Sequence, residues 1–189
     1  MCKLSILLAA AILISLSTGS SLAWLWDKEE KANAFTVGAI RLRLEETTGE
    51  KYQMLPGCNI SKDPTVTVLG GSEACWLFLQ ITQANDPTAF LQYSLAPGWL
   101  PLPGESEVWY RPVEGSEEDQ VFPVLTGNTL SVPDTVIRSD LDIGDKHPKL
   151  IFRARAIQQM GPEGVPFTPE EGWSAIREAL DATRESGAL

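Results

Sequence analysis

The side chains that could do chemistry are few in this sequence, and they do not fall into a catalytic spacing. His147 is the one histidine, and its neighbours Lys146 and Pro148 predict a surface loop, not a general base. Ser72 stands in the run GGSEA, which lacks the second glycine of a GxSxG nucleophile elbow. The zinc-protease, dinucleotide and P-loop motifs are also absent from the sequence. We therefore predict no catalytic residue and no cofactor.

Acidic side chains gather in two stretches, neither with the spacing of a known site. The run 140–145 (DLDIGD) resembles a calcium loop, but its glycine is at position five and Ile151 occupies position twelve, where a glutamate is needed. Glu117, Glu118 and Asp119 are typical of a solvated loop. Among 25 acids some pair could serve a glycosidase, but no spacing selects one. We predict no metal site, with a secreted hydrolase using carboxylates or a loop-bound metal as an open alternative.

Two cysteines, Cys58 and Cys75, follow the N-terminal segment that contains Cys2. If the chain is exported to an oxidising compartment, an even pair predicts one disulfide. The alternative is two free buried thiols. Their separation does not match a redox or zinc CxxC spacing.

The first 23 residues have the pattern of a secretory signal peptide. Lys3 precedes an apolar run of 13 residues, 4–16, which is shorter than the roughly 20 residues that span a bilayer. Small residues then predict cleavage by signal peptidase between Ala23 and Trp24. The alternative is an uncleaved anchor. The mature chain is expected to have no transmembrane segment and to be secreted.

The length and the net charge of the chain exclude further classes of function. The 189 residues fit about one domain, and the composition is that of an ordinary globular protein. The net charge of −10 argues against nucleic acid as a partner, because phosphate binding needs a basic surface. It also argues against anionic membranes. A binding or structural module is favoured over an enzyme.

The body of the chain reads as short strands separated by turns. Side chains alternate between apolar and polar in several runs, which is typical of strands with one buried face. The run 75–82 is apolar on both faces and predicts a central strand that is covered twice. We predict strands within 35–46, 65–68, 75–82, 89–96, 108–113, 121–125 and 150–159. This pattern indicates a mainly β fold, a jelly-roll or Ig-like antiparallel β-sandwich.

The end of the chain differs from the rest. Thr168 and Glu171 have the spacing of a capping box, with Pro169 at the first helical position. An amphipathic α-helix is predicted over 169–186, packed on the sandwich or against a neighbour. The chain then divides into a signal peptide (1–23), an N-terminal arm (24–34), a β-sandwich domain (35–160) and a C-terminal linker with the amphipathic helix (161–189).

The first 82 residues carry a resemblance to a known family. The run Asn33-Ala34-Phe35-Thr36-Val37-Gly38 after a small-residue cleavage site, the Pro56-Gly57 pair and the stretch 64–68 (PTVTV) resemble the TasA/camelysin-like proteins processed by a SipW-type signal peptidase. Trp24 differs from the family's usual start after cleavage. The cysteine pair and the C-terminal helix are not general features of the family.

The resemblance implies a jelly-roll-like sandwich, export from a Gram-positive-type bacterium and a role in the extracellular matrix or at the cell surface, as a biofilm fibre subunit. Camelysin-like members are described as metalloendopeptidases. Because no metal ligands for that activity are recognisable in this sequence, it is not carried over.

The arm suggests a way to assemble. Trp24, Trp26 and Phe35 flank a short segment that cleavage would release. Such a segment could add as a strand to an exposed sheet edge of a neighbour, with the aromatic side chains in pockets. The expected partners are other copies or other matrix proteins. The alternatives are an arm that forms an edge strand of its own domain, and a secreted adhesin that binds carbohydrate or protein without polymerising.

Overall fold

The chain folds mainly into β-strands and ends in an α-helix, as the sequence predicts. The computed structural model describes residues 36–37, 40–48, 55–84, 91–136, 149–161 and 164–185. Within these ranges the strands are β1 (Thr36–Val37), β2 (Leu42–Glu45), β3 (Asn59–Ser61), β4 (Thr65–Val68), β5 (Cys75–Ala84), β6 (Leu100–Pro101), β7 (Val108–Val113), β8 (Gln120–Pro123), β9 (Thr129–Ser131) and β10 (Lys149–Gln158). A 3₁₀ turn covers Thr126–Asn128, and the helix α1 covers Pro169–Glu185.

The strands form a sandwich-like arrangement of sheets. The five-stranded sheet has the order β1-β10-β5-β7-β6, the three-stranded sheet β2-β4-β8, and the two-stranded sheet β3-β9. Among the described strands, pairing is antiparallel except between β1 and β10, where Thr36 lies opposite Ala156 in parallel. The mainly β, antiparallel and sandwich-like class is confirmed. Jelly-roll or Ig-like connectivity stays a prediction.

Strand β5 is central because both of its faces are apolar. Leu77, Leu79 and Ile81 are fully buried in the inner core between the sheets. Phe78, which points the opposite way, is fully buried in a second, outer cluster. The prediction of a central strand covered on both faces is confirmed.

The rest of the inner core comes from strands whose side chains alternate between buried and exposed. Ile40 is fully buried while Arg41 and Arg43 are exposed. On β10, Phe152 and Ala154 face the same core. Period-2 alternation therefore placed the correct residues inside.

Helix α1 closes the outer cluster. The backbone N–H of Thr168 donates to Glu171 Oε2 at 2.8 Å, and the N–H of Glu171 donates to Thr168 Oγ1 at 3.2 Å. This is the predicted capping box. Trp173 and Ile176 are buried against the sheet, so the helix packs on its own sandwich.

One predicted strand is wrong. In the described part of 89–96, only two isolated bridges occur, from Gln92 to Ser131 and from Leu95 to Leu125. The segment changes partner within three residues, so no continuous ladder forms. Strand β8 covers Gln120–Pro123 and therefore begins and ends earlier than predicted. Beyond Pro123, the carbonyl of Val124 accepts the N–H of Ala96, and the N–H of Thr126 donates to the carbonyl of Ser94.

Candidate functional site

Several predicted sites lie outside the described residues. These are the cleavage site at Ala23 and Trp24, the arm residues Trp24, Trp26 and Phe35, the loop residue His147, and the acidic run 140–145. They stay predictions. No helix in the ranges that the structure describes is long and apolar enough to cross a membrane.

The predicted disulfide is not formed. Cys58 and Cys75 are both free cysteines. Cys75 opens the central strand β5 with its side chain fully buried in the inner core, whereas half-buried Cys58 leads into β3 of the two-stranded sheet. Both thiols are free, as the alternative predicts, but of the two only Cys75 is buried. Burial raises the pKa of Cys75 to about 12, so this thiol is inert as a nucleophile.

Ser72 has a structural role. Its buried hydroxyl donates to the carbonyl of Leu69 at 2.6 Å and accepts the backbone N–H of Arg41 at 3.1 Å. The acidic loop meets the same turn, because Asp119 Oδ1 accepts the N–H of Gly70 at 2.8 Å. A Cβ at Gly70 would lie 2.2 Å from the carbonyl oxygen of Glu117, so glycine is needed there. The acidic loop is thus partly a packing element.

Charged groups also anchor the end of β2. Lys62 is 8% exposed, with its ammonium 2.6 Å from the carboxylate of Glu46. Asp63 accepts hydrogen bonds from the backbone and hydroxyl groups of Thr47 and Thr48. The hydroxyl of Thr47 contributes most to holding the pKa of Asp63 well below its ordinary value. In the described ranges, no three His, Cys, Asp or Glu side chains come together as a metal site.

One side of strand β10 is paired only in part by the strands that the structure describes. All ten of its residues pair with β5 on one side. On its other side, only Ala156 and Ile157 have a described partner, the two residues of β1. No described strand pairs with Lys149–Phe152 on that side. The N–H of Gln159 donates to Ala74, which extends the β5 side of the ladder. By alternation, the N–H and C=O groups of Leu150, Phe152 and Ala154 point away from β5, toward this edge.

A second feature, which the sequence analysis missed, lies between β7 and β8. The guanidinium of Arg111 lies 4.2 Å from the ring centroid of Phe122 and 5.4 Å from that of Trp99. The indole N–H of Trp99 donates to the carbonyl of Pro123 at 3.0 Å, which fixes that ring. Burial lowers the pKa of Arg111. We call Arg111, Trp99 and Phe122 the Arg111 clamp.

One signal for the clamp was present in the sequence. Trp109 and Val113 belong to the inner core, and Arg111 is in phase with them on β7. The alternation therefore put a charge at an inward position. Nothing local indicated that Trp99 and Phe122 would meet it, because they come from other segments.

No protein-family model matches this chain, and no curated protein or solved structure matches it either. The fold and the two features described here, the β10 edge and the Arg111 clamp, are therefore the basis for any statement about function.

Proposed function

We propose that this protein is an exported structural protein of the extracellular matrix or cell surface of a Gram-positive-type bacterium, a fibre subunit that assembles by strand addition. The observation that supports the proposal is the β10 edge: β1 pairs with Ala156 and Ile157 alone, and no described strand pairs with Lys149–Phe152 on that side. Unpaired N–H and C=O groups along such an edge are a template for another strand.

β1 shows how a strand lies along this edge. Thr36 lies opposite Ala156 in parallel, so a parallel strand already occupies one end of the edge. We propose that the N-terminal arm of a neighbouring copy adds beside Leu150 and Phe152. Phe152 and Ala154 face the inner core and Ala154 is only 1% exposed, so small side chains suit the inner face of an added strand.

The rest of the arm would reach further along the neighbour. Trp24 and Trp26 lie in the arm, and we propose that they anchor it in apolar pockets of the neighbour. When each copy gives its arm and accepts another, the contact is head-to-tail. Such a contact does not close on itself and yields a filament.

Electron microscopy of two chains tests the role of the arm. The mature chain 24–189 is compared with the chain 35–189 at equal concentration. Fibres from the first and monomers from the second are expected. Equal fibre yield from both would refute the role of the arm, and a mature chain that stays monomeric would favour the adhesin alternative.

A single substitution tests the edge itself. Ala154→Pro removes an N–H that points to the open edge and leaves the hydrogen bonds between β10 and β5 in place. Ala154→Ser keeps the N–H and is the matched control. We expect fibres from the serine variant and none from the proline variant, with both soluble chains giving the same circular dichroism spectrum. Normal fibres from the proline variant would mean that assembly uses a surface other than the β10 edge.

A further inference from the structure

The Arg111 clamp holds a positive charge at a position that normally takes an apolar side chain. Leu77, the Cα partner of Arg111 across the β5–β7 ladder, is fully buried in the inner core. Gly98 lies against the clamp, with a φ of +94°. A Cβ there would lie 2.8 Å from Arg111 Nη2, so a side chain at this position would displace the guanidinium.

The charge of Arg111 is not compensated by the described part of the chain. No described oxygen accepts a hydrogen bond from Arg111, and its Nε is buried without a partner. The two terminal nitrogens are not among the buried unpartnered atoms, so they reach solvent. A desolvated cation without an acceptor costs stability, and the rings of Trp99 and Phe122 offset part of that cost.

We propose that the Arg111 clamp binds a carboxylate of a second copy of this chain, through the fork formed by its two terminal nitrogens. This inference rests on the proposed function, since it names a second contact of the same assembly. Two parallel N–H donors match the two oxygens of a carboxylate, and the rings hold the fork in a fixed orientation.

Charge and position favour a second copy as the partner. Each copy has 25 acidic residues and a net charge of −10, so like copies repel unless acids are paired at the contact. In the order β1-β10-β5-β7-β6, the clamp on β7 and the strand β10 lie toward opposite edges of the five-stranded sheet. A head-to-tail contact needs two such different surfaces.

Sedimentation velocity of the mature chain tests the clamp against a matched variant. Arg111→Met keeps the bulk between the rings and loses the fork. Arg43→Met removes the same charge from an exposed residue that is half of a surface ion pair with Glu45. We expect Arg111→Met to raise the concentration needed for assembly at least tenfold and Arg43→Met to change it less than threefold. Equal effects from the two variants would overturn the proposal.

A thermal melt separates this effect from misfolding. Removing an unpaired, half-buried charge is expected to leave the melting temperature of Arg111→Met unchanged or higher. A marked drop in melting temperature would make Arg111 a structural residue and overturn the proposal. Arg111→Lys keeps the charge without the fork, so it should assemble as poorly as Arg111→Met.

A titration of the monomer distinguishes failure of the clamp from failure of the proposed function. The side-chain Nε–H signal of Arg111 in the mature chain, kept below the concentration at which it assembles, is followed by NMR with sodium succinate, and with sodium phosphate at the same ionic strength. Succinate should shift it more than phosphate, and Arg111→Met should remove the signal. If succinate shifts the signal but the mature chain never assembles, the proposed function and the second copy both fail. No shift, or a larger shift with phosphate, overturns carboxylate recognition.

Discussion

The two faces of strand β5 are covered in different ways. The inner core draws its buried side chains from strands scattered along the chain, among them Ile40, Val66 and Phe152. The outer cluster has fewer buried members, and Trp173 and Ile176 of a single C-terminal helix close it. The inner core therefore depends on long-range pairing, whereas the outer cluster depends on one terminal element. Local stability should differ accordingly.

The largest effect is expected from truncation in the inner core. Leu79 is fully buried there, and Leu79→Ala should lower the free energy of unfolding by about 4 kcal/mol, through lost burial and the cavity left behind. Chemical denaturation, followed by tryptophan fluorescence and by circular dichroism, measures the loss. We expect both signals to shift together, because this core joins the sheets.

Truncation of a buried side chain in the outer cluster should destabilise only the region around α1. Trp173 is 4% exposed and packs 5.4 Å from the ring of Phe78, centroid to centroid. Trp173→Ala should cost about 3 kcal/mol. The indole N–H of Trp173 has no hydrogen-bond partner, so the loss consists of packing and of the contact between its ring and the Arg155 guanidinium, 5.8 Å from the ring centroid.

Hydrogen exchange shows where that loss falls. Amides of α1 should lose protection in Trp173→Ala, while those of β4 and β5 keep theirs. If the amides of β4 exchange as fast as those of α1, the two clusters unfold as one unit and the contrast between them is wrong.

The contrast also explains what could be predicted from the sequence. The sequence analysis correctly located strands 65–68 and 108–113 and the capping box at Thr168. Each of them depends on residues close together in the chain, through alternation, turn residues or the spacing of a cap. The burial of both faces of β5 could be predicted for the same reason. Hydrophobic periodicity and turn residues are properties of short stretches of sequence.

The relations that cross the chain could not be predicted. The parallel pairing of β1 with β10 joins residues 120 positions apart, and no local pattern encodes it. The run 89–96 alternates like a strand but meets two partners in turn, at Ser131 and Leu125. The Arg111 clamp likewise needs Trp99 and Phe122 from separate segments. Cys58 precedes β3 and Cys75 begins β5, and these strands belong to different sheets.

The pH dependence tests how the inner core is held at the end of β2. The lowered pKa of Asp63 means that its charged form is stabilised in the folded state. This contribution is fully present above the unfolded-state pKa, near 4, and is lost as pH falls toward the lower folded-state value. Asp63→Asn should cost about 1–2 kcal/mol at pH 7.

Below pH 4 the difference between wild type and Asp63→Asn should shrink, because the Asp63 carboxyl takes up a proton in the unfolded wild-type chain while it stays ionised in the folded one. Urea denaturation at pH 7, 5, 4 and 3 measures this. A difference that stays constant across that range would mean that the hydrogen bonds from Thr47 and Thr48 do not depend on the charge of Asp63.

The smallest effect is expected at the start of the helix that covers the outer cluster. Thr168→Ala removes the hydroxyl that accepts the N–H of Glu171 and should cost about 1 kcal/mol. Glu171→Gln is the matched control, since glutamine can still accept the N–H of Thr168, and it should cost less. If the outer cluster is a local unit, Thr168→Ala should increase hydrogen exchange in the first turn of α1 and leave the urea midpoint of the inner strands unchanged. A shift of that midpoint as large as the loss in the helix would mean that the helix cap stabilises the whole sandwich, because docking of α1 and closure of the inner core would then be one cooperative step.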